Sequence, residues 1–322
     1  MRLFFVVCLL CWSVSGWAQE LSFVPPGVWQ VSMSQNSESW SRTHRKQKTT
    51  EPNALRELDL SDSSAAKLKG GLDYTQTRQV TGVRYGLNSK LNLGFLVSSQ
   101  SLERVSTLEN LDSTNQSVTD YVAAVNSRKV SGAGDTEIFL DYRHMHSDYA
   151  LLVSGLYLSE PTGKTEYNQT HPMNLGTGLR RLGYRLIWDG YISGSTLYLH
   201  SLFQIGFDSK AQVPDLVGGT QTLKGGVGNK FRSEVLHQLG WLHYGTGIQF
   251  IVEPDHKLAD RSIRDGMLGT SVWLTAGLGN LSKLEQGPVS LPWTFSMQAS
   301  NSYSGTNLPM ALGLKAKLSV YF

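Results

Sequence analysis

The chain ends on Leu312-Gly313-Leu314-Lys315-Ala316-Lys317-Leu318-Ser319-Val320-Tyr321-Phe322. Successive side chains of an extended strand point to opposite faces. Leu312, Leu314, Ala316, Leu318, Val320 and Phe322 therefore share one face, while Lys315, Lys317, Ser319 and Tyr321 share the other. One such strand fits a soluble sandwich as well as a barrel.

The same texture recurs upstream. Ile138, Leu140 and Tyr142 oppose Glu137, Phe139, Asp141 and Arg143; Leu182, Tyr184, Leu186 and Trp188 oppose Arg181 and Arg185. Leu197, Leu199, Phe203, Ile205 and Phe207 oppose Tyr198, His200 and Gln204. Period-2 segments predict about twelve strands, near 27–40, 70–86, 90–99, 134–144, 149–159, 178–188, 194–207, 232–242, 246–253, 268–280, 291–301 and 309–322. Tight turns at 85–90, 144–148 and 189–193 alternate with polar loops near 41–69, 100–131, 160–175, 208–231 and 254–267. Short turns at one end and long loops at the other are the asymmetry of an outer-membrane barrel. The expected fold is all-β: a transmembrane, antiparallel, up-and-down barrel of about twelve strands, with long extracellular loops and short periplasmic turns. An even strand count returns both termini to the periplasmic side. The terminal strand with its final aromatic resembles the signal that barrel-assembly machinery reads, which implies Phe322 as an assembly signal and that machinery as a partner.

The amino terminus fits export. Arg2 precedes an apolar run from Leu3 to Trp12, and Gly16-Trp17-Ala18 offers small residues to a signal peptidase. The run is about half the ~20 residues that a spanning helix needs. The expected division is a signal peptide at 1–18 and a barrel at 19–322, exported by the general secretory route to the outer membrane of a diderm bacterium, with lipid as its surroundings. Cys8 and Cys11 both fall in the leader. The mature chain then has no disulfide, thiolate metal site or cysteine nucleophile.

Charged residues make up 17% of the chain and the formal net charge is +3, without a basic run, so nucleic acid is not an expected partner. Aromatic residues near strand ends suggest interfacial girdles: Tyr149 and Tyr157, spaced by eight residues, on one strand, and Trp188, Trp241 and Tyr244 at the periplasmic side.

The alternation turns Arg78, Arg84, Glu137, Asp141, Arg143, Arg181, Arg185, Lys315 and Lys317 inward, together with Glu253. Positive charge is in excess among them, which favours anions if water fills the lumen. The competing reading is a network of ion pairs that plugs a narrow barrel. Eight-stranded barrels are filled by side chains and porins use sixteen or more strands, so twelve lies between.

Catalysis is not expected. No histidine is followed two positions later by serine, as in an outer-membrane phospholipase, and His200 and Ser201 are adjacent, hence on opposite faces. His144 and His146 share spacing with metal ligands but lack an evident carboxylate or cysteine partner. No phosphate loop or dinucleotide fingerprint is present. No cofactor is expected.

Several motifs, in order, resemble a family: the outer-membrane proteins associated with the meta-pathway of phenol degradation. They are Tyr85-Gly86-Leu87 followed by Lys90-Leu91-Asn92-Leu93-Gly94, then Gly132-Ala133-Gly134-Asp135, then Leu158 with Pro161-Thr162-Gly163, and Leu175-Gly176-Thr177-Gly178. The resemblance spans roughly 75–190 and departs from the pattern at Ser159-Glu160. It implies a passive channel for small hydrophobic or aromatic molecules, with the motifs at 132–135, 161–163 and 175–178 near an extracellular entrance. Those motifs equally suit plain loop geometry, with glycine and proline setting the turns. Only about eight mature residues precede the first strand, too few for a plug domain. A non-conducting barrel that binds a partner or stabilises the envelope is the second expectation, and an outer-membrane enzyme the third.

Overall fold

The computed structural model describes residues 22–46, 49–52, 68–111, 116–147, 149–165, 173–192, 196–214, 220–258, 261–264, 266–280 and 291–322. The expected leader, 1–18, lies outside these. Twelve long strands form the wall: β1 (Trp29–Trp40), β2 (Leu72–Gly86), β3 (Leu91–Ser106), β4 (Thr136–His146), β5 (Ala150–Glu160), β6 (Arg181–Tyr191), β7 (Leu197–Asp208), β8 (Val227–Leu239), β9 (Leu242–Glu253), β10 (Met267–Gly279), β11 (Trp293–Thr306) and β12 (Leu312–Tyr321). Each pairs antiparallel with its neighbours in the chain, and β1 pairs with β12, so the sheet closes on itself.

The wall is apolar outside and polar inside. Leu156, Leu182, Leu274 and Leu314 project outward at 58–68% exposure. Leaving such side chains in water forfeits roughly 1.5–3 kcal/mol each relative to an apolar medium, so a continuous belt of them requires a non-aqueous surrounding. Among the described residues, buried hydrophobics form small separate clusters, at Phe23-Val153-Ile187, Leu72-Leu108-Val125, Val130-Met173-Leu175 and Leu179-Val213-Leu223.

The two ends differ as expected, with two exceptions. At the turn end, β8 and β9 are joined by Gly240 and Trp241, with Gly240 at φ 61°. The sequence expectation ended one strand at 242 and began the next at 246; the turn lies earlier, where Gly240 takes its positive φ. The turn-end connection 280–292 is long, whereas the loop-end connection 307–311 is short and uses Asn307 at φ 56°. Three strands also run further into the loops than their polar sequences suggested: β3 reaches Ser106, β8 starts at Val227, and β11 reaches Thr306. The loops carry their own pairs, Arg42–Lys46 with Thr49–Pro52 and Lys210–Pro214 with Thr220–Lys224, and a helix, α1 (Gln116–Ala124).

Exposed aromatics gather at the turn end, among them Trp29, Tyr149, Trp188, Trp241, Tyr244, Trp293 and Phe322. Tyr157 does not belong to a girdle. It is 7% exposed and lies inside the barrel against the glycine positions of Gly183 and Gly206. The even spacing that seemed to join it to Tyr149 fails because Tyr149 precedes β5, in the turn. Phe322 is exposed, and its backbone continues the seam: Trp29 N donates to Phe322 O at 2.7 Å, and Phe322 N donates to Trp29 O at 2.9 Å.

Large inward rings need a flat floor, and glycine supplies it. A Cβ on Gly94 would enter the Phe139 ring, and one on Gly247 would enter Trp273. We expect Gly94→Val to lower the denaturant midpoint of the detergent-solubilised protein by the equivalent of about 1–3 kcal/mol. Leu93→Val on the outward face should change it far less. Equal effects would show that the Phe139 contact is not the constraint.

Candidate functional site

The inward face is built from alternate residues of every strand, so its charges follow from the period-2 pattern. Arg78, Arg84, Glu137, Asp141, Arg143, Arg181, Arg185, Lys315 and Lys317 all occupy inward positions of the register. The structure sorts them into groups at different depths.

Near the loop end, Arg181 donates from Nε to Asp208 Oδ1 at 2.6 Å and from Nη2 to Glu253 Oε2 at 2.8 Å. His256 Nε2 lies 3.5 Å from Asp208. At mid-depth Arg185 grips Asp141 with two hydrogen bonds, 2.7 and 2.5 Å. The same guanidinium stacks 3.7 Å from the Phe139 ring centre, and Glu137 lies 3.9 Å away. This bidentate geometry is the strong form of an arginine–carboxylate contact. Arg232, Glu234, Trp273 and Thr275 form another group: Glu234 accepts from Arg232 at 3.3 Å, Trp273 Nε1 at 3.1 Å and Thr275 Oγ1 at 2.5 Å. Arg78 stands exposed on β2, six positions from Arg84 on the same face.

Towards the turn end the chain's own amino-terminal segment enters the lumen. Phe23 packs on Val153 and Ile187, and Val24 is fully buried. Arg84 donates from Nη1 to Ser22 O at 2.9 Å, and Arg143 stacks 5.0 Å from the Phe23 ring centre. Gly27 N donates to Gly86 O at 2.8 Å, which ties the segment to the end of β2. The described part of this segment, residues 22–28, thus sits inside the barrel. Its signal in the sequence is Phe23-Val24 ahead of Pro25-Pro26, an apolar pair with no place on the first strand.

Above this segment lies a cavity of about 270 Å³. Arg84, Arg185, Arg232, Lys315 and Lys317 line it with Glu234, His200, His243, Ile187, Leu202 and Leu236, and with hydroxyl and amide groups. His200 Nδ1 is 2.6 Å from Asp189 Oδ1. The sequence reading did not single out Arg232, Glu234 or Asp189, although Arg232 and Glu234, spaced by two, share a face.

The three glycine-rich motifs meet at the loop end. Gly134 and Asp135 break the run between Arg128–Ala133, which pairs with the upper part of β3, and β4. Asp135 then collects the other two motifs. Gly163 N donates to its Oδ1 at 3.1 Å, and Thr177 donates to Oδ2 from N at 2.8 Å and from Oγ1 at 2.9 Å. Thr162 Oγ1 donates to Gly134 O at 2.8 Å. Gly163 and Gly176 pack so closely that a Cβ on either would strike the other's backbone. One carboxylate thus fixes both ends of the 161–180 connection to the barrel rim.

Chemistry is sparse elsewhere. Among the described residues no group of three or more His, Asp or Glu could hold a metal ion. His144 Nε2 lies 2.6 Å from Ser154 Oγ on an exposed face, but no ion pair of the described residues gives this histidine an orienting carboxylate. A serine nucleophile needs that third group and a place for an oxyanion.

No protein-family model and no characterised sequence relative matches the chain. By shape it is similar to the COG4313 outer membrane channel from Pseudomonas putida F1, with a TM-score of 0.68 at 11% identity, covering 94% of this chain and 99% of that one. The translocator domain of the autotransporter NalP from Neisseria meningitidis aligns with a TM-score of 0.44 at 8% identity, covering 94% and 91% of the two chains. At such identities the likeness establishes the fold: a closed, twelve-stranded outer-membrane-type barrel.

If Asp135 anchors the rim, Asp135→Ala should open the 161–180 connection to limited proteolysis while the barrel keeps its heat-modifiable gel mobility. Unchanged cleavage would mean that other contacts hold this loop.

Proposed function

We propose that the mature chain resides in the outer membrane of a diderm bacterium as a channel-type barrel that passes small molecules passively. The observation that carries this reading is the polar cavity inside a closed wall whose outer surface is apolar. A barrel serving only as a structural element has no need of such a space. The cavity is slightly below the ~300–1,000 Å³ of drug-sized sites, which suits a single-ring or comparably small solute. The hydrophobic or aromatic class of that solute rests on the family resemblance of the motifs between 75 and 190.

A second reading, a non-conducting barrel, is favoured by the ion-paired groups and by the amino-terminal segment in the lumen. The two readings separate in planar bilayers. We expect small, steady single-channel steps from the purified protein, and larger ones from Phe23→Ser, which weakens the seat of the segment on Val153 and Ile187. Silence from both proteins, joined to normal solute uptake in a deletion strain, would favour the second reading.

We also assign Phe322 the role of an assembly signal read by the barrel-assembly machinery. Phe322→Ser should lower the amount of folded barrel in cells several-fold while leaving refolding into detergent nearly unchanged. A matching loss in detergent would place its role in the seam alone.

A further inference from the structure

We infer that the barrel pairs with a second copy of itself in the membrane, through the polar outer face of β1, β2 and β3. On β12 the outward side chains are apolar throughout, with Leu312, Leu314, Leu318 and Phe322 at 44–63% exposure. Across the closing seam this pattern breaks. Leu318 still lies beside Met33, but Ala316 lies beside Gln35, Leu314 beside Ser37 and Leu312 beside Ser39. The polar rows then continue round the wall. Gln35 stands in register with Gln79, Ser99 and Ala133, and Ser37 with Thr77, Ser101 and Ser131. Above them Ser39 stands in register with Thr75, Glu103 and Lys129. These positions share strand parity with Met33, Phe95 and Val97, which face outward lower on the same strands.

Depth makes these rows costly. A tilted strand crosses the hydrocarbon in about 9–11 residues. Counted from Trp29, Tyr85 and Leu93 at the turn end, that span reaches Ser39, Thr75 and Glu103. The two lower rows therefore lie within the hydrocarbon, and the third at its extracellular boundary. Hydroxyl and amide groups turned to lipid tails lose water and gain nothing in return.

A second copy supplies what lipid cannot. Two barrels related by a two-fold axis along the membrane normal present the same surface to each other at the same height. Glutamine then meets glutamine and hydroxyl meets hydroxyl, and both groups donate as well as accept. Gln79 Nε2 donates to Gln35 Oε1 at 3.4 Å within one copy, which leaves each amide capacity for a neighbour. The upper row carries its own counter-charge: Lys129 Nζ lies 3.5 Å from Glu103 Oε2, with both side chains about half exposed or more. Facing its image, that pair sets lysine against carboxylate. An anionic lipid headgroup would meet Glu103 as well as Lys129, and a water-soluble partner would not reach the lower rows. The pairing is independent of what the lumen conducts.

Disulfide trapping in isolated membranes tests the pairing. Ser101→Cys, at the centre of the patch, should give a covalent dimer on oxidation with copper phenanthroline. Phe231→Cys, outward on β8 across the barrel, should not, and this control carries any contribution of Cys8 and Cys11. In mild detergent, light scattering should return twice the mass of the chain. Gln35→Leu/Gln79→Leu, which suits a wall facing lipid, should weaken association about tenfold or more, as the loss of two amide contacts implies. Gln35→Asn/Gln79→Asn should keep most of it. Heat-modifiable mobility identifies folded material. Should the leucine pair fail to fold, trapping at Ser101 still decides, because that chain is otherwise unaltered. No trapped dimer at Ser101, equal trapping at Phe231, or Ser101→Cys joined to a different protein would overturn the assignment. So would a dimer indifferent to the leucine pair.

Discussion

The pairing of β1 with β12 is the constraint on which everything else hangs. Ten register pairs, from Gln30 with Tyr321 to Ser39 with Leu312, join the first strand to the last. A sheet with free edges would expose unpaired N–H and C=O groups to hydrocarbon, where each costs several kcal/mol. Closure removes those edges, and only then can the outward leucines and aromatics face lipid without a backbone penalty. The alternation of side chains then fixes the interior as polar. The charged lumen is thus a by-product of solving the backbone problem in an apolar solvent.

Within that interior, ion pairing and glycine do complementary work. Arg185 with Asp141, and Arg181 with Asp208 and Glu253, neutralise one another where the surrounding side chains exclude most water. Such pairs are costly to break singly, by about 3–5 kcal/mol, because the survivor is left charged and unsatisfied. Glycines on neighbouring strands let Phe139 and Trp273 lie against the wall instead of projecting into the lumen. Guanidinium groups then stack on these rings, as Arg185 does on Phe139 and Arg232 on Trp273. The interior is neither an empty tube nor a solid core.

Much of this was written in the alternation. Each of the twelve strands was legible because a two-residue period survives local irregularity, and the inward placement of Arg185, Lys315 and Lys317 followed from the same parity. Parity fails where the chain leaves a strand, which is why Tyr149 seemed to share a face with Tyr157. It also says nothing of which inward groups meet. Asp141 and Arg185 are separated by 44 positions, and their contact depends on β5 lying between their strands with Gly155 in the gap. The glycine motifs were visible as a sequence pattern, but their common dependence on Asp135 was not, since carboxylate-to-backbone bonds leave no periodic trace. Phe23 was missed for a related reason: a handful of residues before the first strand carries no period at all.

The burial of Phe23 and the seam bonds of Phe322 have a bearing on how this molecule can be handled. Phe23 is seated inside the lumen, and Phe322 is stitched to Trp29. A purification tag fused just ahead of Ser22 would compete for the space that Val24 fills, and one appended to Phe322 would hang on the closing strand itself. The hairpin between β7 and β8 is no freer, since Leu223 is fully buried with Leu179 and Val213 and pairs in register with Leu258.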